Sequence, residues 1–235
     1  MTLLGRLRDQ ALSVQPLPPV WLVLLTFALA VALIVPRRVW PVTRNAVTIA
    51  HEGGHAFVAL ATGRQLSGIR LHADTSGVTV SCGRPTGIGM VLTMFAGYPA
   101  PAVLGLGAAR LLRSGHADAL LVISVVLLVL LLIQIRNAWG ALTVVVTGGA
   151  LAMAVVYAPS TARAGTGYLL AWFLLVAGFR PVIELWRARR VGQAPDSDAD
   201  QLARLTGIPG GLWNAMFGAV TGAVLFVGGR WMLGF

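Results

Sequence analysis

Three residues that can bind or use a metal ion lie together in the stretch AHEGGHA, which is otherwise apolar or glycine: His51, Glu52 and His55. On a helix, residues four apart lie on the same face, so both histidines can present ring nitrogens to one ion. Glu52 then lies beside that ion, where a carboxylate can take a proton from a bound water. The spacing therefore predicts a metal site with an adjacent general base.

The composition places this motif in a membrane. Of the 235 residues, 57% are hydrophobic and 11% are charged, whereas an average soluble domain has about 25% charged residues. Ionisable side chains deep in a bilayer are costly and are functional by default. A divalent ion offsets this cost by pairing with the negative charge and with the nitrogen lone pairs. The alternative is that the histidines and the glutamate bond to one another and to neighbouring helices as structural contacts.

Seven apolar stretches are long enough, or nearly so, to cross a hydrocarbon core that takes about 20 helical residues. They are residues 20–35, 43–63, 88–112, 117–135, 138–157, 165–185 and 212–233. The predicted fold class is an all-α polytopic membrane protein of about six to seven transmembrane helices, with residues 1–235 forming a single domain. Gly97, Pro99, Pro101, Gly105 and Gly107 in the third stretch predict a kinked and partly hydrated helix.

A small β-hairpin is predicted in the connection between the second and third apolar stretches. Ile69 and Leu71 on one side, and Val78 and Val80 on the other, are spaced two apart around the turn at residues 74–77. Alternation of this kind around a turn that contains glycine is typical of two short antiparallel strands.

A catalytic zinc takes three protein ligands and keeps one position open for water, so a third ligand is expected. Two further histidines are available, His72 in the hairpin and His116 in a turn, and both are better explained as surface residues. Glu184 lies within a helical turn of Arg180 and Arg187, which favours a salt bridge. These three residues are therefore weaker candidates than the acidic connection before the last apolar stretch.

The acidic connection contains Asp196, Asp198 and Asp200. A short helix is predicted there, beginning at Ser197 or Asp198 and ending at Gly207. One of the three aspartates is expected to reach the metal, which requires the connection to fold back to the depth of the histidines. The alternative is that the aspartates cap the helix and complement its dipole.

The charge of the chain is explained by the membrane. The net charge is +10 and all 18 basic residues are arginine. Because the arginines are spread over the ends of the apolar stretches, we expect them to contact lipid headgroups, and no nucleic-acid partner is predicted. Alternate connections carry ten arginines on the N-terminal side and seven on the other, which favours a cytoplasmic N-terminus.

Four segments resemble the site-2 protease family of intramembrane zinc metalloproteases, in particular its compact bacterial members without a separate soluble domain. The segments are AHEGGHA, RLHADTSGVT, FAGYPAPAVLG and SDADQLARLTGIPGGLW, and they span most of the chain from Asn45 to Trp213. The resemblance implies an integral, multi-pass protein of the bacterial plasma membrane. It also implies hydrolysis of peptide bonds within or near the transmembrane segments of protein or peptide substrates.

The resemblance further implies one Zn²⁺ per chain and assigns roles to residues. Glu52 is the base that activates water. The implied zinc ligands are His51, His55 and Asp198, with Asp200 and Asp196 as less favoured alternatives to Asp198. The sequence departs from better-studied members in lacking their Asp-Gly pair at the third ligand.

A transmembrane substrate has to unwind before its peptide bonds can be reached. The open edge of the hairpin is a candidate to receive such an extended segment by β-augmentation. The residues predicted to contact the substrate are Gly53, Gly54, Val78 and Val80. For the two glycines, close packing of another helix is an equally simple explanation.

Two other functions fit the same residues. Intramembrane histidines and acidic residues also line the ion pathways of transporters, although the sequence shows none of the inverted repeats that transporters usually carry. A scaffold that keeps a metal for stability and has no activity is the second alternative.

Overall fold

The computed structural model describes residues 2–234 and is mostly helical. Within that range the chain forms eleven helices and one antiparallel pair of strands. In chain order they are α1 Leu3–Leu12, α2 Val20–Ile34, α3 Trp40–Ala61, β1 Gln65–Leu71, β2 Gly77–Cys82, α4 Ile88–Ala96, α5 Ala100–Arg113, α6 Ala117–Gln134, α7 Ala138–Tyr157, α8 Ser160–Ala177, α9 Arg180–Arg190, α10 Asp198–Thr206 and α11 Gly210–Met232. The predicted helical class and the small antiparallel sheet are confirmed.

Four helical segments in the described residues are long and apolar enough to cross a membrane. They are Ala117–Gln134, Ala138–Tyr157, Ser160–Arg190 and Gly210–Met232, and a fifth is added if α4 and α5 count as one bent span. The apolar helix α2 has only 15 residues, which is short of the roughly 20 that a bilayer core requires. The count of six to seven spans therefore stays a prediction.

The main core is built where α8 packs against both α2 and α5. Small residues make this close approach possible: Ala30, Ala109 and Ala171 are completely buried. A Cβ at Gly105 of α5 would lie 2.8 Å from the backbone nitrogen of Leu175 on α8. Van der Waals contact between helix backbones is the main source of association in lipid, where apolar side chains gain nothing by leaving the solvent.

The third apolar stretch is broken into α4 and α5, which meet at an angle of 72°. The break falls between Gly97 and Pro99, in agreement with the kink that these residues predicted. Proline lacks the N–H that would continue the helix, so the chain turns there and α5 begins anew. The turn brings Gly97 and Tyr98 next to the face of α3 that carries His51.

The hairpin is held in place on both sides by helical segments. The Asn137 side chain donates to the Leu71 carbonyl at 2.6 Å and accepts from the Leu71 amide at 3.2 Å, so β1 is fixed to the α6–α7 connection. On the other side, the Thr79 hydroxyl oxygen of β2 lies 3.1 Å from the Glu52 carbonyl oxygen of α3. In residues 2–234 the outer edge of β2 pairs with no strand.

The register separates the four apolar residues of the hairpin onto two faces. Ile69 lies opposite Thr79, and Ile69 and Leu71 are buried. Val78 lies opposite Arg70 instead, and Val78 and Val80 are about half exposed on the face away from Ile69. The irregularity in pairing lies between Leu66 and Gly68, beyond these four residues, so it does not change which face each of them is on.

Candidate metal centre

Two ring nitrogens and one carboxylate oxygen converge within the described residues. His51 Nε2 and His55 Nε2 lie 3.1 Å apart, and Asp198 Oδ2 lies 3.3 Å from the first and 3.2 Å from the second. Ligands at zinc distances of about 2.0–2.1 Å around a tetrahedral ion are themselves about 3.3 Å apart. The three atoms thus form a triangle of the size that one zinc ion requires.

The chemistry of Asp198 also fits a cation. Its Oδ2 atom is buried and has no hydrogen-bond partner among the described residues. A buried carboxylate oxygen without a partner is costly, unless a cation or a donor completes the site. Neutral imidazole nitrogens and one carboxylate are the donor set that zinc takes in catalytic sites. The three residues therefore suit zinc in both geometry and chemistry.

The second nitrogen of His55 fixes the tautomer of the ring. The Nδ1–H donates to the Thr93 carbonyl of α4 at 2.6 Å, which leaves the Nε2 lone pair free for the metal. Thr93 is itself buried, and its hydroxyl donates to the Gly89 carbonyl at 2.7 Å. The ring of His51 packs edge-on against Tyr98, at 5.0 Å between centroids. Both imidazoles are therefore oriented by residues of the broken third stretch.

Asp198 is the first residue of α10, and the helix brings it to the histidines. The helix begins and ends where the sequence predicted; Ser197 caps it, and Gly207 follows it in the left-handed conformation. Ala199 and Leu202 are completely buried in a cluster with Trp213 and Phe217 of α11. The acidic connection therefore folds back to the depth of α3 because the apolar face of α10 is buried there.

The other two aspartates of the acidic connection pair with arginines instead. Asp196 is exposed and lies 2.9 Å from Arg204. Asp200 accepts hydrogen bonds from Arg189 and from the Ser197 hydroxyl. Burial raises the pKa of Asp200, but these hydrogen bonds outweigh it and hold the pKa below its ordinary value. Asp198 is therefore the aspartate that the fold places against the histidines.

Glu52 is buried next to the three converging residues without being one of them. The Thr79 hydroxyl of β2 donates to Glu52 Oε2 at 2.6 Å, so the hairpin orients the carboxylate. Glu52 and His51 also line a cavity of about 160 Å³, which we call the cleft; its other lining residues include Arg44, Thr48, Gly77 and Tyr98. A carboxylate beside a metal site and open to a cavity can exchange protons with a bound molecule.

Thr79, Gly77 and Gly97 contact the site but were not predicted from the sequence. A Cβ at Gly77 would lie 2.6 Å from Glu52 Oε1, so only glycine leaves space for this carboxylate. The available signal was the alternation of β2: Gly77 and Thr79 share one face, opposite the face of Val78. Val78 and Val80 indicated the hairpin, whereas the residues that contact the site, Gly77 and Thr79, alternate with them along the strand.

Gly97 leaves the space that the two imidazole rings occupy. Its backbone is helical, with φ −56° and ψ −61°, so alanine is compatible with the conformation. A Cβ there would lie 2.4 Å from His55 Nε2 and 2.7 Å from His51 Cε1. We expect Gly97→Ala to weaken zinc binding by at least about 10-fold, because the new methyl group would displace the imidazole rings. Removing a residue that only orients a metal ligand already lowers metal affinity by about 10- to 100-fold. Titration of the purified protein against a chromophoric chelator measures this.

The matched control is Gly107→Ala in α5, because a Cβ at Gly107 meets no atom within 4 Å. Alanine is favoured over glycine in a helix interior, so this variant should fold at least as well as the wild type. Its zinc affinity should be unchanged. Equal affinities in the two variants would show that the absence of a side chain at Gly97 does not matter for zinc binding.

The remaining sequence candidates lie outside the converging group. His72 Nδ1 lies 3.2 Å from the Ser76 hydroxyl, and His116 Nδ1 lies 3.1 Å from the Ser114 hydroxyl. Glu184 accepts from Arg180 at 3.0 Å, as the helical spacing predicted. These three residues therefore have local partners of their own.

The two glycines of the motif face neighbouring helices. A Cβ at Gly54 would lie 2.3 Å from the Ala100 Cβ of α5, and one at Gly53 would lie 3.6 Å from Leu131 of α6. For Gly54 the close approach is thus made by another helix, which favours helix packing as the reason for this glycine. Substrate contact by Gly53, Gly54, Val78 and Val80 stays a prediction.

A family model described as Peptidase M50B-like matches residues 24–228 of the chain. The match includes α3, both strands of the hairpin and α10, and so covers every residue of the converging group. No curated protein and no solved structure matches the chain.

Proposed function

Because the chain belongs to the peptidase M50B-like family of membrane metalloproteases, we propose that it is a zinc-dependent endopeptidase acting in the membrane. Its substrates are membrane proteins or peptides, which are cut within or near their transmembrane segments. Membership of the family confirms the resemblance to site-2 proteases that the four sequence segments indicated. The observation that carries the zinc site is the buried Asp198 Oδ2, which has no hydrogen-bond partner among the described residues and lies within 3.3 Å of both histidine nitrogens.

Each residue of the centre has a separate task in this proposal. His51, His55 and Asp198 would hold the zinc, which when bound polarises the scissile carbonyl and makes a water acidic enough to react at neutral pH. Glu52 takes the proton from the attacking water and returns it to the nitrogen of the leaving amine. The Thr79 hydroxyl holds Glu52 Oε2 in position, and the cleft beside it provides space for the substrate backbone.

The hairpin is the proposed docking element for the unwound substrate. The outer edge of β2 is free within the described residues, and Gly77 and Thr79 of this strand lie next to Glu52. A substrate strand that adds to this edge gains main-chain hydrogen bonds with little sequence preference. Val78 and Val80, with Gly53 and Gly54, remain the proposed contact residues.

Metal removal tests the proposed function directly. The purified protein in detergent should contain about one zinc per chain by metal analysis and should cleave a single-span membrane protein. Treatment with a chelator should abolish cleavage, because the polarising ion is lost, and added zinc should restore it. The chelated protein should keep its helical circular dichroism, which separates loss of metal from unfolding.

The alternative functions predict different results. A scaffold that holds zinc for stability would show zinc but no cleavage at any stage. A transporter would show no cleavage, and the metal should exchange with the solution or move across a vesicle membrane. Either result would contradict the proposed peptidase activity.

A further inference from the structure

Arg44 lies at one end of the cleft and has no part in the chemistry described above. It lies on α3 seven positions before His51, so both residues are on the same face of the helix. The rise of an α-helix puts them about 10 Å apart along the axis. The Arg44 side chain lines the cleft together with His51 and Glu52 and is 38% exposed.

The positive charge at this end of the cleft is only partly neutralised. Glu184 of α9 lies between two guanidinium groups, those of Arg44 and Arg180. Arg180 Nε donates to Glu184 Oε1 at 3.0 Å, and the Arg180 guanidinium also lies over the ring of Trp40 at 4.4 Å. The single negative charge of Glu184 is therefore shared by two guanidinium groups, and the three residues together keep a net positive charge.

Of the two arginines beside Glu184, Arg44 is the one whose hydrogen-bond donors are free within the described residues. Its Nη1 lies 3.7 Å from Glu184 Oε2, which is beyond hydrogen-bond distance. Within residues 2–234 the Arg44 guanidinium makes no hydrogen bond, whereas Arg180 also donates to the Val35 carbonyl at 3.3 Å. A planar guanidinium with free donors is well suited to bind a carboxylate through two parallel hydrogen bonds.

We propose that Arg44 is a specificity residue, which binds the carboxylate of a substrate aspartate or glutamate about three residues from the scissile bond. The inference rests on the proposed peptidase activity. In this proposal an extended substrate runs along α3 through the cleft and rises about 3.3 Å per residue, so the roughly 10 Å between the His51 and Arg44 levels of α3 correspond to about three residues. The acidic residue lies on the side of the scissile bond that faces the N-terminal end of α3.

A scan of charged residues in one membrane substrate tests this proposal. Single-span substrates carry Glu, Gln or Lys at each position from four before to four after the scissile bond, and kcat/KM is measured for each. We expect the wild type to prefer Glu over Gln by at least about 10-fold at one position about three residues from the cut. Arg44→Gln should lose the preference, and Arg44→Glu should prefer Lys at that same position.

Arg113→Glu is the matched control, since Arg113 is an exposed arginine at the end of α5 and does not line the cleft. This variant should keep the wild-type preference for Glu. Metal analysis of every variant shows whether the site is intact, so that a change of preference is not confused with loss of zinc.

The outcomes separate this inference from the function on which it rests. Cleavage at equal rates with Glu, Gln and Lys at every position would overturn the role of Arg44 and leave the peptidase activity standing. Preference for Glu that persists in Arg44→Glu would also overturn it. No cleavage of any substrate by the zinc-loaded wild type would overturn the proposed function, and this inference with it.

Discussion

Glu52→Gln is expected to abolish cleavage while leaving the bound zinc in place. The amide has nearly the same shape as the carboxylate and can still accept the hydrogen bond from Thr79, but it cannot take a proton from water. General acid–base catalysis contributes about 10²- to 10⁴-fold to a rate, so we expect kcat/KM to fall by at least about 10²-fold. Single-turnover cleavage of a membrane substrate, together with zinc analysis of the same preparation, measures both quantities.

The zinc content of Glu52→Gln distinguishes a base from a ligand. A folded variant that lost its metal would show that Glu52 coordinates the ion, contrary to its proposed role as a base. A folded variant that kept both metal and full activity would show that another group moves the proton. Asp196→Asn is the matched control, because it makes the same change from carboxylate to amide at an exposed residue that pairs with Arg204 away from the centre. This variant should keep both zinc and activity.

Asp198→Ala is expected to lose the metal itself. It removes the one carboxylate that reaches both histidine nitrogens among the described residues, and the remaining pair cannot neutralise the charge of a divalent ion in the membrane. Losing a hydrogen-bond partner behind a ligand costs about 10- to 100-fold in metal affinity, so losing the ligand should cost more than about 100-fold. Cleavage should fall with zinc occupancy and recover in part at high zinc concentration.

The other two aspartates of the connection provide matched variants. Asp196→Ala should bind zinc with wild-type affinity. Asp200→Ala should also keep the ion, because Asp200 contacts Arg189 and Ser197 rather than the histidines. A result in which Asp200→Ala or Asp196→Ala loses zinc and Asp198→Ala retains it would contradict the assignment of the third ligand.

Several features of the fold followed from local sequence patterns because their causes are local. The break between α4 and α5 lies where Gly97 and Pro99 predicted it, since proline removes a donor within its own helix. The bounds of α10 also followed, since the helix was predicted to begin at Ser197 or Asp198 and to end at Gly207, and it spans Asp198–Thr206. The count of six to seven spans stays a prediction, because hydropathy measures length and composition but not the point at which a helix such as α2 ends.

The sequence by itself determined that His51 and His55 share one helix face with Glu52 beside them, because the period of an α-helix is fixed. Only the tertiary structure decided which aspartate joins them, which hydroxyl holds Glu52, and why Gly77 and Gly97 carry no side chain. Asp198 lies on α10, Thr79 lies on β2, and Gly97 lies in the turn between α4 and α5. Their positions depend on how β2 and the α4–α5 turn pack against α3 and on how α10 packs against α4 and α11, and no local pattern of residues encodes such a contact.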